Sequence, residues 1–261
     1  MITTIFENGL KYVQMSSFQK ENIIHGFFSR IGGVSNFPFS SLNLGGTTGD
    51  EEKNIIENRK RIFACIKRPV ESIYDVWQVH GNDVIVADRA RKLGTPHLPA
   101  DGIITNSPNV TLLMRFADCV PIIFYDPIKH IVGMAHAGWQ GTIKKVCQKV
   151  IKSMAEKFDC EPVNILAGIG PSIGPDHYFV GDTVIQAAQE SFGNFYEKVV
   201  LQKNGKTIFD LWEANSLLMQ EIGVKHIEIS EICSYCNNED WYSYRREGTK
   251  SGRFAVVIGL K

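Results

Sequence analysis

Segments with helically spaced apolar residues alternate with short continuous apolar runs along this chain of 261 residues. Apolar positions that recur every third or fourth residue predict helices over residues 51–67, 141–158, 182–192 and 211–222. Continuous apolar runs predict strands over residues 163–168, 226–232 and 254–260. Because helices and strands are mixed without a sequence repeat, the pattern indicates an α+β fold.

Capping and breaking residues suggest where some of these elements begin and end. Asp50 is expected to cap the first helix with its carboxylate, and Gly223 is expected to end the last helix. Residues 89–99 contain several charges, one glycine and two prolines, so they are expected to form a surface loop. No stretch has the composition of a linker, which favours a single domain over residues 1–261.

The composition is that of an ordinary globular protein, with 44% hydrophobic and 21% charged residues. Basic and acidic residues number 28 each, so net charge gives no support to binding of nucleic acid or an anionic membrane. No apolar run predicts a transmembrane helix, and the first residues lack a signal-peptide pattern. Because the six cysteines follow no disulfide-like pattern, we expect a cytoplasmic protein. A single domain of this size is expected to be a monomer.

Three short motifs carry the clearest chemistry, and each contains one good metal ligand. They are Gln78-Val79-His80-Gly81, Ala117-Asp118-Cys119 and Ala135-His136-Ala137-Gly138-Trp139. Two imidazoles and a thiolate suit Zn²⁺ and can also hold Cu²⁺. Three protein ligands leave the fourth tetrahedral position open, as in catalytic zinc sites. The sequence therefore predicts a catalytic metal site formed by His80, Cys119 and His136.

The alternative is that these three residues are unrelated, because their spacing matches no zinc-finger motif. Their settings favour a shared site. Each lies beside a turn at the end of a strand-like run, where a rigid scaffold commonly presents functional groups.

Three glycine-rich loops could bring backbone N–H groups close to an anion, and they cover residues 29–35, 41–45 and 168–174. None matches a P-loop or a dinucleotide fingerprint, so each on its own is interpreted as a structural turn. Paired Arg245 and Arg246 can clamp a phosphate or form a solvated turn. Cys233 and Cys236 form a lone C-x-x-C pair and are interpreted as incidental, because a structural zinc would need two further ligands.

Seven motifs occur in order along nearly the whole chain, from about Gly26 to Leu260. They are S-R-I-G-G-V-S (29–35), L-N-L-G (42–45), Q-V-H-G (78–81), A-D-G (100–102), A-D-C (117–119), H-A-G-W (136–139) and the Arg245-Arg246 region. As an ordered set they resemble the YfiH/YlmD-like family, also called DUF152, polyphenol oxidase or laccase domain.

The resemblance implies a single layered α-β-β-α domain, similar to toxin deamidases, with a metal bound by His80, Cys119 and His136. Similar proteins are zinc-dependent purine nucleoside phosphorylases. They cleave adenosine, inosine and methylthioadenosine with phosphate to give the base and ribose 1-phosphate, and they deaminate adenosine. This chain departs from the family pattern at two positions. Gln140 stands where relatives commonly have Arg, and Ser172 where they commonly have Cys.

Phosphorolysis requires that phosphate be held in line with the reacting sugar carbon, that its charge be neutralised and that the base be helped to leave. Arg30 and Arg245 are the candidates for binding phosphate, with Arg30 also a catalytic candidate, and Asn43 is a candidate contact to ribose or an anion. Asp118 and Cys119 complete the predicted catalytic set. The Asp118 carboxylate can take a proton or orient a neighbour, although capping a turn explains it equally well.

Two other functions remain open at this point. Cys119, with His136 or His80 as its base, could act as a cysteine hydrolase on an amide, for example in peptidoglycan editing. The older label of the family suggests a copper-dependent polyphenol oxidase. Seven histidines, most of them outside the motifs, are too few for a multicopper set.

Overall fold

Two six-stranded β-sheets stack face to face, and helices cover both outer surfaces. The computed structural model describes residues 2–261, and within that range the chain forms fourteen strands and eight α-helices. The strands are β1 (Ile2–Glu7), β2 (Leu10–Met15), β3 (Ile23–Phe28), β4 (Ile73–Asp75), β5 (Val84–Val86), β6 (Gly102–Thr105), β7 (Thr111–Phe116), β8 (Val120–Asp126), β9 (Ile131–Ala137), β10 (Leu166–Ile169), β11 (Val200–Lys203), β12 (Lys206–Phe209), β13 (His226–Ile229) and β14 (Phe254–Leu260). The helices are α1 (Ser16–Gln19), α2 (Glu52–Cys65), α3 (Trp139–Ile143), α4 (Val146–Phe158), α5 (Asp182–Phe192), α6 (Tyr196–Val199), α7 (Leu211–Glu221) and α8 (Tyr244–Glu247).

The first sheet has the strand order β1-β2-β3-β14-β7-β4 and is antiparallel except for the parallel β4–β7 pair. Strand β14 lies inside this sheet, with Val256 opposite Phe27 on one side and Met114 on the other. All seven residues of β14 are buried, as its unbroken apolar sequence predicts for a strand covered on both faces.

The second sheet has the order β13-β10-β8-β9-β6-β5. In the antiparallel β8–β9 pair, Pro121 lies opposite His136, so the turn that precedes β8 meets the end of β9. In the β6–β9 pair, Gly102 lies opposite Ala135. The register of these three strands therefore brings residues 101, 119 and 136 to one end of the sheet.

The core is divided by the two sheets into layers. Between the sheets, Met114 and Val256 of the first pack in one cluster with Ile123 and Met134 of the second. Helix α2 covers the outer face of the first sheet, whereas α4 and α7 cover the outer face of the second. This order confirms the α-β-β-α architecture expected from the resemblance. No helix within residues 2–261 combines the length and apolar character needed to cross a membrane.

The helix predicted over residues 141–158 is broken in the structure. Lys145 has a left-handed φ of 59° and separates α3 from α4. The apolar spacing runs on across this break, so the sequence pattern alone does not reveal it.

The first helix begins at Glu52, and the prediction that Asp50 caps it is wrong. Glu51 occupies the cap position without a side-chain cap. The Asp50 carboxylate instead accepts hydrogen bonds from the side chains of Asn43 and Asn54 and from the Glu51 N–H.

The remaining predicted elements differ from the structure mainly at their ends. The predicted strand over residues 163–168 is wrong in its first half, where Pro162–Asn164 forms a short 3₁₀ turn before β10. Strand β13 ends at Ile229, before the predicted 232. Helices α5 and α7 and strand β14 are confirmed, with Gly223 at a φ of 106° after α7. Residues 89–99 contain no helix or strand, as predicted.

Candidate active site

The three predicted metal ligands meet at one end of the second sheet. His80 comes from the loop before β5, Cys119 from the turn between β7 and β8, and His136 from the end of β9. Their ligand atoms all lie within 4.8 Å of one another. His136 is buried, Cys119 is half-buried and His80 is exposed. The cluster is therefore held by the protein on the His136 side and open to solvent on the His80 side.

Asp101 organises this cluster from behind. Its carboxylate accepts backbone N–H groups from Val79, His80 and Gly81, at 3.1, 3.1 and 2.6 Å. The same carboxylate lies 2.7 Å from Nδ1 of His136. Since an ionised carboxylate only accepts hydrogen bonds, this contact places the Nδ1 proton between the two groups and leaves Nε2 as the ligating nitrogen. The A-D-G motif was the sequence signal for this residue, although no role was predicted for it.

The electrostatics of the cluster favour a thiolate. Burial alone would raise the pKa of the Cys119 thiol, but His136 and His80 beside it outweigh burial and lower that pKa. Burial disfavours a charged His136 ring, yet Cys119 and Asp101 next to it raise its pKa. The pair is thus poised to exchange the proton for a metal ion, because metal ligation needs a deprotonated sulfur and a free imidazole nitrogen.

The space around the sulfur also fits a bound ion. A Cβ at Gly138 would lie 2.8 Å from the Cys119 Sγ and 3.3 Å from the His80 ring, so only glycine leaves this side of the cluster clear. One thiolate and two imidazoles form a donor set that zinc accepts and that copper can also use. The residues present therefore fit the predicted metal.

A cavity of about 720 Å³ opens over the cluster, large enough for a nucleoside together with a small anion. His80, Cys119 and His136 form one wall. The cationic side chains that line the cavity are Arg59, Arg115, Arg245 and Arg253, the aromatic ones are Trp77, Tyr178 and Tyr244, and His97 also lines it. The cavity therefore combines a metal-ligand cluster, aromatic faces and positive charge.

Positive charge exceeds negative charge around one buried carboxylate near the cavity. Asp75 forms ion pairs with Arg91 and Arg115, and the Nε2 of His97 lies 3.0 Å from the same carboxylate. Burial, together with the nearby Arg115, lowers the pKa of Arg59, which is a sign of crowded cations. The Nε of Arg59 is buried and has no hydrogen-bond partner among residues 2–261. Arg59 also lines the cavity, so its guanidinium places a positive charge at the wall that can attract an anion.

Sequence reasoning missed Arg59, Arg115 and His97 for physical reasons. Arg59 lies on α2, Arg115 lies on β7, and only the tertiary fold brings them to one cavity. Arg253 had a weak signal, since it follows Gly252 close to the Arg245-Arg246 pair.

Arg245 reaches the cavity, as its candidate role requires. Its Nη1 donates to the carbonyl oxygens of His177 and Phe179, and its guanidinium lies 5.0 Å from the Tyr178 ring centre. Asp118 holds the backbone of this arginine in place, because one carboxylate oxygen accepts the backbone N–H of Arg245 at 2.6 Å. The other oxygen accepts the Ser234 hydroxyl at 2.7 Å.

The structure does not bring Arg30 to the cavity lining. Its guanidinium pairs with Glu247 at 2.7 Å and lies 4.3 Å from the Tyr242 ring centre. It also donates to the carbonyl oxygens of Asn238 and Ser40. These contacts occupy Arg30 in joining separate segments of the chain.

Asn43 is fully buried and also lies outside the lining. Its Oδ1 accepts the backbone N–H groups of Gly45 and Arg253, both of which line the cavity. Asn43 is therefore placed to position cavity residues rather than to contact a ligand.

The two departures from the family pattern fall in different surroundings. Gln140 lines a smaller cavity of about 180 Å³ that also contains His80, Asp118 and Cys119. Ser172 is buried and accepts a 2.6 Å hydrogen bond from Trp212 Nε1. The first departure thus changes charge beside the cluster, whereas the second changes a packing contact.

Comparison with known proteins gives a consistent picture. The family model described as multi-copper polyphenol oxidoreductase laccase matches residues 24–261. The purine nucleoside phosphorylase YlmD of Bacillus subtilis is 37% identical over 96% of this chain and 92% of its own. The purine nucleoside phosphorylase YfiH of Escherichia coli is 36% identical over 89% of this chain and 91% of its own. The crystal structure of YlmD from Geobacillus stearothermophilus superposes with a TM-score of 0.90 at 32% identity, covering 99% of this chain and 100% of the other.

Proposed function

This chain belongs to the multi-copper polyphenol oxidoreductase laccase family, and the similar YlmD and YfiH proteins are named purine nucleoside phosphorylases. We propose that this protein, too, cleaves purine nucleosides with phosphate. The products are the free base and ribose 1-phosphate. The observation that carries the proposal is the single cavity in which a His-Cys-His cluster faces arginines and aromatic rings.

Phosphate is the charged substrate, and the arginines of the cavity can hold it. In the reaction a phosphate oxygen forms a bond to the sugar C1′ as the C1′–N9 bond breaks, and the electron pair of that bond leaves with the purine. Arg59 brings a guanidinium to the cavity wall for phosphate, and Arg115 adds charge beside it. Arg245 and Arg253 extend the positive wall towards Asp118 and Cys119. Fixed cations of this kind stabilise the negative charge of the reacting phosphate.

The aromatic residues suit a purine base. Tyr178, Tyr244 and Trp77 line the same cavity, and an aromatic face stacks on any purine. We therefore include adenosine, inosine and methylthioadenosine as substrates, because stacking accepts each of these bases.

His80, Cys119 and His136 would hold Zn²⁺ in this cavity, with Cu²⁺ as the alternative ion for the same donor set. When bound, such an ion supplies Lewis acidity that polarises a substrate oxygen. Asp101 keeps the His136 ring oriented for binding. Cys119 acts in the proposal as a ligand and as an anionic group that neutralises the charge of the ion.

Asp118 has a positioning role in this proposal. Both carboxylate oxygens already accept hydrogen bonds, one from the Ser234 hydroxyl and the other from the backbone N–H of Arg245. Arg30 and Asn43 likewise act through structure, Arg30 through its ion pair with Glu247 and Asn43 through Arg253. Arg245 remains the phosphate contact predicted from the sequence.

Adenosine deamination and a cytoplasmic location complete the proposal. Deamination would use the same base-binding cavity, with water replacing phosphate as the nucleophile. The water oxygen would bond to C6 of adenine as the bond from C6 to the amino nitrogen breaks, and that nitrogen would leave as ammonia. The six cysteines are free thiols, which suits a reducing compartment.

The proposal is tested by hypoxanthine release from inosine, measured with and without phosphate. We expect phosphate-dependent release by the zinc-loaded wild type, and its loss in the Cys119→Ala variant. Cys65→Ala is the matched control, because this buried cysteine packs in the cluster between α2 and the first sheet and lines neither cavity. No release from inosine or adenosine by the loaded wild type would overturn the proposal.

One observation favours a second candidate, a cysteine hydrolase. Such enzymes use a nucleophile, a base and a carboxylate that orients the base, and this site offers Cys119, His136 and Asp101 for those three roles. Stoichiometric, tightly held zinc would occupy the sulfur and count against this function. Amidase activity of the metal-free protein that disappears on alkylation of Cys119 would support it.

A further inference from the structure

A second cluster of metal-ligating side chains lies outside both cavities described above. It consists of His177, Cys233 and Cys236, whose ligand atoms all lie within 4.8 Å of one another. None of the three lines the cavity that contains Cys119. The C-x-x-C pair thus gains a third ligand that the sequence spacing does not show.

The distances within this cluster match those expected around one ion. The Nδ1 of His177 lies 3.4 Å from the Cys236 Sγ and 3.9 Å from the Cys233 Sγ. Tetrahedral zinc, with Zn–S bonds of about 2.3 Å and Zn–N bonds of about 2.0 Å, separates sulfur and nitrogen ligands by about 3.5 Å. The two observed separations bracket this value.

The surroundings of the cluster support a bound thiolate and fix the imidazole. The backbone N–H of Gly174 points at the Cys233 Sγ from 3.2 Å, which stabilises a negative sulfur. A Cβ at Gly174 would lie 3.1 Å from the Cys233 Cβ, so glycine allows this approach. The His177 ring stacks on Tyr235 with 4.5 Å between ring centres, which restrains its orientation.

The backbone on both sides of the cluster is tied down as well. Ser172 and Cys233 pair as a parallel bridge, and the Asn237 N–H donates to the Cys233 carbonyl oxygen. Arg246 donates to the Tyr235 carbonyl oxygen inside the C-x-x-C turn. The ligands are therefore held near each other by contacts that do not depend on the ion.

We propose that His177, Cys233 and Cys236 form a second metal site that takes a divalent ion of the zinc class. Two thiolates and one imidazole are ligands that such an ion prefers, and Cys236 is exposed, so solvent can complete the coordination. The ion joins the 3₁₀ turn Pro175–His177 to the loop that carries Cys233.

The proposed ion would brace one wall of the cavity without touching substrate. Tyr178, which lines the cavity, directly follows His177. Ser234, which directly follows Cys233, donates to Asp118. The site is therefore assigned a bracing role, with solvent rather than a fourth protein ligand completing the coordination, and it stands whether or not the proposed phosphorylase activity is confirmed.

The test counts zinc in the full, reduced chain after loading with Zn²⁺ and removal of free metal by gel filtration. We expect about two ions per wild-type chain and about one in each of Cys236→Ser and His177→Ala. The Cys119→Ala variant should also hold about one, because it removes the other site. His226→Ala is the matched control and should keep the wild-type content, since this exposed histidine belongs to neither cluster.

Cobalt substitution provides a second reading that does not rely on variants of the buried cysteine. Cobalt(II) added to the Cys119→Ala protein should give thiolate-to-cobalt charge-transfer absorption. This absorption should be weaker in the double variant that carries both Cys119→Ala and Cys236→Ser. Wild-type protein that holds the same amount of zinc as Cys236→Ser and His177→Ala would overturn the proposal. So would a Cys119→Ala protein that holds no zinc and gives no charge-transfer absorption.

Discussion

The two clusters, which we call the cavity cluster (His80, Cys119 and His136) and the rim cluster (His177, Cys233 and Cys236), contain the same ligand types. They differ in the groups that lie behind and in front of them. Behind His136 is the buried carboxylate of Asp101, whereas behind His177 is the flat ring of Tyr235. In front of Cys119 is a cavity of about 720 Å³, whereas Cys236 faces solvent and lines neither cavity described above. Ligand identity therefore does not decide the role of a cluster. The oriented His136 and the enclosed cavity suit the first cluster for catalysis. The position of the second cluster between two loops suits it for holding those loops together.

The largest effect is expected from breaking the support behind the cavity cluster. Asp101→Asn removes the negative charge that orients His136, and losing such a supporting carboxylate costs about 10–100-fold in metal affinity or activity. Zinc titration and the rate of hypoxanthine release check this. Asp83→Asn is the control, because this nearby carboxylate is exposed. Unchanged zinc affinity and rate in Asp101→Asn would contradict the role given to this residue.

The next largest loss of activity is expected at the arginine wall, formed by the cavity-lining residues Arg59, Arg115, Arg245 and Arg253. Arg59→Met removes a charge-assisted hydrogen bond to phosphate, and at a partly exposed cavity wall such a bond is worth about 1.5 kcal/mol, or roughly tenfold in affinity. We expect the phosphate KM to rise while the inosine KM stays near its wild-type value.

Arg30→Lys separates the structural assignment from the one predicted by sequence. Because Arg30 is bound to Glu247 and to two carbonyl groups, the substitution should lower thermal stability and leave the phosphate KM far less changed than Arg59→Met does. The opposite ranking of the two phosphate KM values would restore Arg30 to the site.

A pH profile of thiol alkylation should sharpen the difference between the clusters in metal-free protein. His136 and His80 outweigh burial and lower the pKa of Cys119, so its thiolate is already formed near neutral pH. Burial, with Cys233 beside it, raises the pKa of Cys236, so its reaction should keep accelerating as the pH rises. Each pKa unit between the two thiols is worth about a tenfold difference in thiolate fraction below both pKa values. Peptide mapping after iodoacetamide treatment at several pH values checks this, and matching profiles would contradict it.

The smallest effect on catalysis is expected at the rim cluster. Cys236→Ser should lower the melting temperature of the zinc-loaded protein by several degrees, since a ligand at 100 times its Kd stabilises by about 2.7 kcal/mol. Turnover of inosine at saturating substrate should change little, because no rim ligand lines the cavity. A large loss of turnover with unchanged melting temperature would reverse the roles of the two clusters.

The cavity cluster could be predicted from the sequence because its ligands stand in short motifs at strand ends. The pairing of Pro121 with His136 then brings them together, as strand-end positions suggested. The layered architecture was expected from the family resemblance and is confirmed, whereas the break at Lys145 was hidden because a left-handed lysine leaves the apolar spacing intact.

The arginine wall and the rim cluster could not be predicted, because both depend on contacts between distant segments. Arg59 looks like any polar residue of an amphipathic helix, and only the fold leaves its Nε buried without a partner among residues 2–261. His177 meets the C-x-x-C pair through the bridge between Ser172 and Cys233. Arg30 was predicted as a phosphate contact from its motif and its charge, whereas in the fold its guanidinium pairs with Glu247, near the other end of the chain.

The most direct measurement follows the phosphate oxygens into the product. Inosine is incubated with the zinc-loaded protein and ¹⁸O-labelled phosphate, and the sugar product is analysed by mass spectrometry. If phosphate attacks C1′, the product is ribose 1-phosphate that retains every labelled oxygen, and Cys119→Ala gives none. Free, unlabelled ribose, or intact inosine with fully loaded wild-type protein, would contradict the account.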